Sequence, residues 1–306
     1  MEFNLVNLKI TVKTANPATL GLRLTESGTE FSAACKRVAC SHATAACGRC
    51  SRSDGCAWHD LFSQALSADP AALKRHQKPP LPFAFSFPFP EASHENNGIL
   101  ECGLVVIGKA IPHLEILLEG FETLLGAYDG LERCEIVAIS CLDYQGGLVP
   151  LKGNGSASPP GNLVVLSADE LLERYPWEHS RLAIRLLAPL RLMSDGRQLA
   201  RFDFSRFACS LMRRVSSLAH YYADYEFSCD FGMLSRQASD IVCTEDHFRY
   251  GMVSGDNRRS AGVTGCGSFK GEFSGLMPFL VLGSYVNVGK GAAFGFGAFE
   301  VSTYHF

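Results

Sequence analysis

The chain has 306 residues, 47% hydrophobic and 19% charged, which describes a globular protein with a full core and room for two domains of ordinary size. Its apolar stretches are too short, or too often interrupted by charge, to span a bilayer, so no membrane role is expected. A formal net charge of −3 excludes a protein that coats nucleic acid indiscriminately.

Residues 3–13 alternate in part (Phe3, Leu5, Val6, Leu8, Ile10, Val12) and predict a first strand. Residues 29–40 predict a helix with Phe31, Cys35, Val38 and Ala39 on one side and Lys36 and Arg37 on another. A cysteine-rich segment follows, then a short amphipathic helix at 58–66 and a linker at 68–80. Residues 81–89 predict an edge strand, because their prolines cannot donate to a ladder. A strand at 98–108, a helix at 111–127 and a strand at 132–142 complete the order strand, helix, strand, strand, helix, strand. Residues 146–161, rich in Gly, Ser and Pro, read as a loop or linker.

The same order then recurs. Residues 181–192 predict a long strand, and 203–219 a strongly amphipathic helix through Phe204, Phe207, Leu211, Val215 and Leu218. Residues 239–250 and 263–273 predict a strand pair, 275–285 a helix and 294–301 a closing strand. Two successive βαββαβ units predict an α+β fold of two tandem ferredoxin-like domains. The expected division is 1–160, with a cysteine-rich finger at about 40–58 inserted after the first helix, and 161–306.

Between the last helix and the last strand lies Gly289-Lys290-Gly291-Ala292-Ala293-Phe294-Gly295-Phe296-Gly297. Four glycines in nine residues suit neither a helix nor a regular strand. They suit a loop that brings backbone N–H groups to an anion, with Lys290 adding a positive charge, and the inferred anion is an RNA phosphate backbone. The charge distribution points the same way. Residues 1–179 hold 14 basic and 20 acidic side chains, whereas 180–306 hold 14 and 11. Segments 23–52 and 249–290 each hold five basic and two acidic residues. A focused basic face suits one specific polyanion, the alternative being ordinary solvated surface charge.

Twelve cysteines would suggest disulfides in a secreted protein, but the first residues carry no secretion signal, so a cytoplasmic location is expected. Five of them, Cys35, Cys40, Cys47, Cys50 and Cys56, crowd together. Cys35 is expected in the helix core. Cys40, Cys47, Cys50 and Cys56 offer four thiolates, a closed tetrahedral set for a structural zinc ion, with His42 and His59 as substitute ligands. An iron–sulfur cluster uses the same ligands, and reduced cysteines without metal are the third reading.

The stretch 211–219, the pair Arg249-Tyr250, the segment Gly265…Phe269…Gly271, the run 278–283 and the glycine-rich loop from Val288 together resemble the CRISPR repeat-processing endoribonucleases of the RAMP superfamily. The nearest branch is the one with a cysteine-rich insertion in the first domain. The resemblance implies two ferredoxin-like domains that bind a short RNA repeat, often as a hairpin. It further implies metal-independent cleavage within the repeat by 2′-OH attack, giving a 2′,3′-cyclic phosphate. The implied partners are repeat RNA, the guide-RNA 3′ hairpin that the enzyme retains, and other subunits of a CRISPR effector complex. Two positions depart from the family pattern: Asn287 stands where relatives commonly have His, and His220-Tyr221-Tyr222 where they often have an aromatic-His pair.

Such cleavage needs a base for the 2′-OH, a cation or N–H group for the phosphorane charge and an acid for the 5′-oxygen. The resemblance places a His just beyond the first helix, here His42. His220 is the second candidate and Tyr222, beside it, the third catalytic candidate; either histidine also suits a half-buried structural role. Arg249, Arg258, Arg259, Lys270 and Lys290 are expected RNA contacts, because such side chains stay protonated. Gly289, Gly291, Gly295 and Gly297 join them in the loop, and Arg23, Lys36 and Arg37 extend the surface onto the first domain. Tyr221 and Tyr222 either stack on an unpaired base or pack in the core. Two alternatives stand beside the nuclease: a non-catalytic subunit that holds the repeat hairpin, and another RAMP subunit of an effector complex.

Overall fold

The computed structural model describes residues 3–40, 47, 50–51, 53–76, 78–89, 98–128, 134–153, 156–157, 163–175, 180–194, 196–252 and 261–303. His42, Arg258 and Arg259 lie outside the described residues. Among those described, no helix is long and apolar enough to cross a membrane.

The first half runs β1 (Asn4–Lys13), α1 (Pro17–Glu26), α2 (Gly28–Ala39), α3 (Ala57–Phe62), α4 (Pro70–Arg75), β2 (Phe83–Ser86) and β3 (Ile99–Ile107). A 3-10 turn, Gly108–His113, then leads into α5 (Leu114–Tyr128), β4 (Glu135–Leu142), β5 (Leu148–Gly153), β6 (Ser156–Ala157) and β7 (Leu166–Ser167). These strands form one antiparallel sheet in the order β2-β3-β1-β4-β5-β6, with β7 paired to β1. Its heart, β2-β3-β1-β4, is the strand order of a ferredoxin-like βαββαβ unit, with the Pro-flanked β2 at the edge where a missing donor is tolerated. Because β7 returns to β1, the first sheet reaches past residue 160.

The second half runs α6 (Ala168–Arg174), β8 (Arg181–Leu190), β9 (Met193–Ser194), β10 (Arg197–Gln198), α7 (Phe204–Ala223) and α8 (Phe231–Ser239). It continues through β11 (Val242–Asp246), β12 (Arg249–Met252), β13 (Ala261–Lys270), α9 (Met277–Val286) and β14 (Phe299–Ser302). The order β11-β13-β8-β14, with β12 also on β13, repeats the topology of the first sheet. The strands β9 and β10 form a separate ribbon.

The period-two pattern of β1 divides its side chains between two cores. Val6, Leu8, Ile10 and Val12 pack with α2 and α5, whereas Phe3 and Leu5 join the core built around α7 and α9. In each unit the two long helices approach through a glycine. A Cβ on Gly120 of α5 would run into Cys35 of α2, and one on Gly283 of α9 into Leu211 of α7. Burial in that contact pushes the Cys35 thiol up to about 12, fixing it as a small apolar core residue.

Several elements differ from the sequence expectation. The helix α1 was hidden by Pro17 and Gly21, yet it starts well, with Asn16 accepting from the Thr19 amide at 3.1 Å and Pro17 in the first turn. The segment 68–80 contains α4, and 146–161 contains β5 and β6. The closing strand begins only at Phe299, because the residues before it turn repeatedly.

Candidate functional site

The glycine-rich loop sits at the junction of the two sheets rather than on an open face. The Phe85 amide of β2 donates to the Ala293 carbonyl at 3.0 Å, and Phe85 and Phe294 form an isolated parallel bridge. Asn287, 3% exposed, donates its side-chain amide to the Phe85 carbonyl at 2.8 Å and to the Ala292 carbonyl at 2.9 Å. Within the loop, the amides of Lys290 and Gly297 donate to the carbonyls of Arg191 and Pro189, and those of Phe294 and Phe296 to Gly291. Gly295 and Gly297 are buried, and Gly289 and Gly291 half-buried. Gly297 has φ 65, and a Cβ there would strike the Val288 carbonyl. Four amides expected to cradle an anion therefore serve the loop's own packing.

What the loop leaves outside is charge. Lys290 is exposed, and its amide is anchored beside the end of β8. There Leu190 of β8 faces Val263 of β13, and Arg249 of β12 faces Thr264 on the other side of β13. Arg249 and Lys290 thus share one end of the second sheet. Arg191 joins them, its guanidinium 3.6 Å from the Phe296 ring centre and its Nε donating to the Ala261 carbonyl at 3.0 Å. Lys270 faces Arg181 at the opposite end of β13, about 20 Å away at the rise of a strand. Arg37 is exposed near the C-terminus of α2, on the first unit. Between the units lies a cleft of about 550 Å³. Phe87, Phe89, Arg185, Leu187, Gly265 and Cys266 contribute to its walls.

His220 and Tyr222 end α7 in different surroundings. The Tyr222 hydroxyl donates to the Pro80 carbonyl at 2.9 Å, and burial pushes its phenol up. That environment holds Tyr222 as a packing residue with its proton in place. His220 Nδ1 lies 2.6 Å from a Glu226 carboxylate oxygen, and its ring stacks on His76 with centres 4.8 Å apart. Tyr221 donates to the His76 carbonyl at 2.9 Å. Burial pushes the His76 imidazole below its ordinary range, against the pull of Glu226, and so favours the neutral ring.

With this geometry the comparisons become informative. Residues 184–299, from β8 through the glycine-rich loop into β14, match the family model of the CRISPR-associated endoribonuclease Cas6. This segment is similar to a Cas6 endoribonuclease domain. Residues 7–156 match a second model, described as an N-terminal domain. The fold extends the likeness over the whole chain. Thermus thermophilus Cas6 is 15% identical, with a TM-score of 0.56 over 99% of this chain and 100% of that one. A Cas6 product complex is 16% identical, with a TM-score of 0.57 over 97% of this chain and 100% of that one. No curated protein matches by sequence.

Within residues 184–299, two arginines that the sequence did not single out as site residues, Arg191 and Arg214, are half-buried. Arg214, on α7, donates its Nε to the Val286 carbonyl at 2.8 Å, a cation closing the C-terminus of α9; desolvation of its guanidinium lowers it to about 10. His76 and Glu226 were also missed, since neither stands in a motif and they meet across 150 residues of chain.

In the N-terminal unit, Cys40, Cys47, Cys50 and Cys56 line one small pocket of about 20 Å³ together with Lys36, Ser53, Trp58 and His59. All four are free of disulfides. The Cys47 thiol, with Cys40 and Cys50 nearby, raises the Lys36 ammonium, which also lies 5.4 Å from the Trp58 ring centre. The four cysteines therefore line one pocket with a cation beside them.

Proposed function

We propose that this chain processes CRISPR precursor RNA, cutting once within each repeat and retaining the guide RNA it releases. The observation that carries this reading is the Cas6-like segment at 184–299, set in a fold that follows Cas6 structures from end to end, one of them a product complex. Arg249 and Lys290, at one end of the second sheet, contact RNA phosphates, and the neighbouring cleft takes an unpaired part of the strand.

The step needs no metal at the reacting phosphate. The 2′-oxygen attacks phosphorus, the bond to the 5′-oxygen breaks, and the products are a 2′,3′-cyclic phosphate and a 5′-hydroxyl. His42, just beyond α2, is the base that takes the 2′-OH proton. His220, with Nδ1 committed to Glu226 and its ring stacked on His76, is the weaker candidate. Separate His42→Ala and His220→Ala variants test the assignment on the cognate repeat. Loss of cutting with binding kept in His42→Ala supports it; loss in His220→Ala alone overturns it. A wild-type chain that binds the hairpin without cutting is a guide-holding subunit instead.

We infer in addition that Cys40, Cys47, Cys50 and Cys56 hold a structural zinc ion. A small pocket to which four cysteines contribute would suit tetrahedral zinc with no open position. Its role is to staple the finger that follows α2.

A further inference from the structure

A second group of metal-type donors lies far from the cysteines in chemistry, where the segment after α4 meets the end of α7. His76 Nε2 is 3.3 Å from one Glu226 carboxylate oxygen and 3.4 Å from the other, while His220 Nδ1 is 2.6 Å from the first. The three donor atoms lie within 4.8 Å of one another. Both imidazoles present a nitrogen to the same carboxylate, and their planes are 17° apart.

The group is positioned rather than accidental. His76 is 2% exposed, and its other ring nitrogen lies 3.1 Å from the Ser217 hydroxyl. A histidine that binds a metal through one nitrogen characteristically anchors the other in this way. The backbone is held as well: the Tyr221 hydroxyl donates to the His76 carbonyl and accepts from the Ser67 amide at 3.3 Å. Arg75 approaches Glu226 only at 3.7 Å from the solvent side.

We propose that His76, His220 and Glu226 bind one divalent transition-metal ion. Two neutral imidazoles and one carboxylate suit zinc and its neighbours, whereas calcium and magnesium prefer all-oxygen shells. Ligands at about 2.0–2.2 Å from zinc place neighbouring donors about 3.3 Å apart, so binding opens the 2.6 Å His220–Glu226 pair and draws the wider-spaced donors, now within 4.8 Å, together. With three protein ligands, the fourth position is open to water from the Glu226 side. The ion fastens the segment that leads into β2 to the end of α7, and so ties the two ferredoxin-like units together.

Cobalt(II) is the probe, because it reports its ligands by colour. Bound to thiolates it gives intense near-ultraviolet charge-transfer bands; bound to imidazole and carboxylate it gives only weak visible bands. Full-length protein stripped with a chelator is titrated with cobalt while absorbance and melting temperature are followed. Beside any equivalent that the cysteines take with thiolate bands, the wild type is expected to take up one equivalent without them and to melt higher as it does so. Glu226→Gln and His220→Gln, both at partly exposed positions, are expected to weaken that equivalent at least about tenfold and leave any thiolate bands unchanged. Near-ultraviolet dichroism confirms that both variants fold. A wild type without the nitrogen–oxygen equivalent overturns the proposal, as does equal cobalt affinity in the folded variants.

Discussion

Asn287 of the second unit donates its side-chain amide to the carbonyl of Phe85 in the first, at 2.8 Å, and so welds the glycine-rich loop to the edge strand β2. The same amide group holds Ala292 at 2.9 Å, and the residue is buried with φ 58. A position where the resemblance leads one to expect histidine serves here as a structural clasp. Asn287→Ala orphans two buried carbonyls and is expected to cost about 2–4 kcal/mol in urea unfolding. An alanine variant as stable as the wild type would remove the clasp from the account.

The loop's exposed lysine and its buried glycines should separate cleanly. Lys290→Ala is expected to leave stability within about 0.5 kcal/mol, to weaken repeat RNA binding, and to flatten its salt dependence by about one unit of slope. Gly297→Ala places a Cβ against the Val288 carbonyl and should destabilise the fold first. Binding measured across a salt series, beside thermal melts, distinguishes the two. Equal salt slopes in Lys290→Ala and wild type would argue against a phosphate contact.

Tyr222 offers a control at the end of α7. Its hydroxyl holds the Pro80 carbonyl, and burial raises its phenol, so it neither loses nor supplies a proton near neutrality. Tyr222→Phe is expected to cost about 1 kcal/mol and to cleave at the wild-type rate. A hundredfold fall in single-turnover rate would restore it as a catalytic candidate.

The duplicated helix contacts predict coupled substitutions. Gly120→Ala and Gly283→Ala, each forcing a methyl into the facing helix, are expected to cost about 1–3 kcal/mol. Cys35→Ala should recover part of the first loss and none of the second, which a double-mutant cycle reads directly. Absence of coupling between positions 35 and 120 would contradict the packing described.

The cysteine finger predicts zinc in purified protein, lost together with finger stability in Cys47→Ser and Cys50→Ser variants. Elemental analysis of protein expressed in minimal medium with added zinc checks this. Full zinc retention in both variants would rule out these four ligands.

Much of this fold was legible in the sequence because its long elements keep strict periods. The stripe Phe204, Phe207, Leu211, Val215 of α7 and the alternation of β1 each allow one reading, and their order gave the repeated βαββαβ plan. Shorter elements were hidden by punctuation: Pro17 and Gly21 masked α1, and α8 buries only Leu234 and Ala238. The glycine loop was found, but its direction was not. Nothing local says that the Lys290 amide meets Arg191 or that Asn287 meets Phe85 across 202 residues. The pairing of His76 with Glu226 was unreadable for the same reason, being set wholly by how the units dock.

The central claim is tested most directly by incubating the full chain with its cognate repeat RNA in excess EDTA. The account predicts one cut within the repeat, an upstream fragment ending in a 2′,3′-cyclic phosphate and a downstream fragment starting with a 5′-hydroxyl. RNA that is bound but uncut, or fragments ending in a 3′-hydroxyl and a 5′-phosphate, would contradict it.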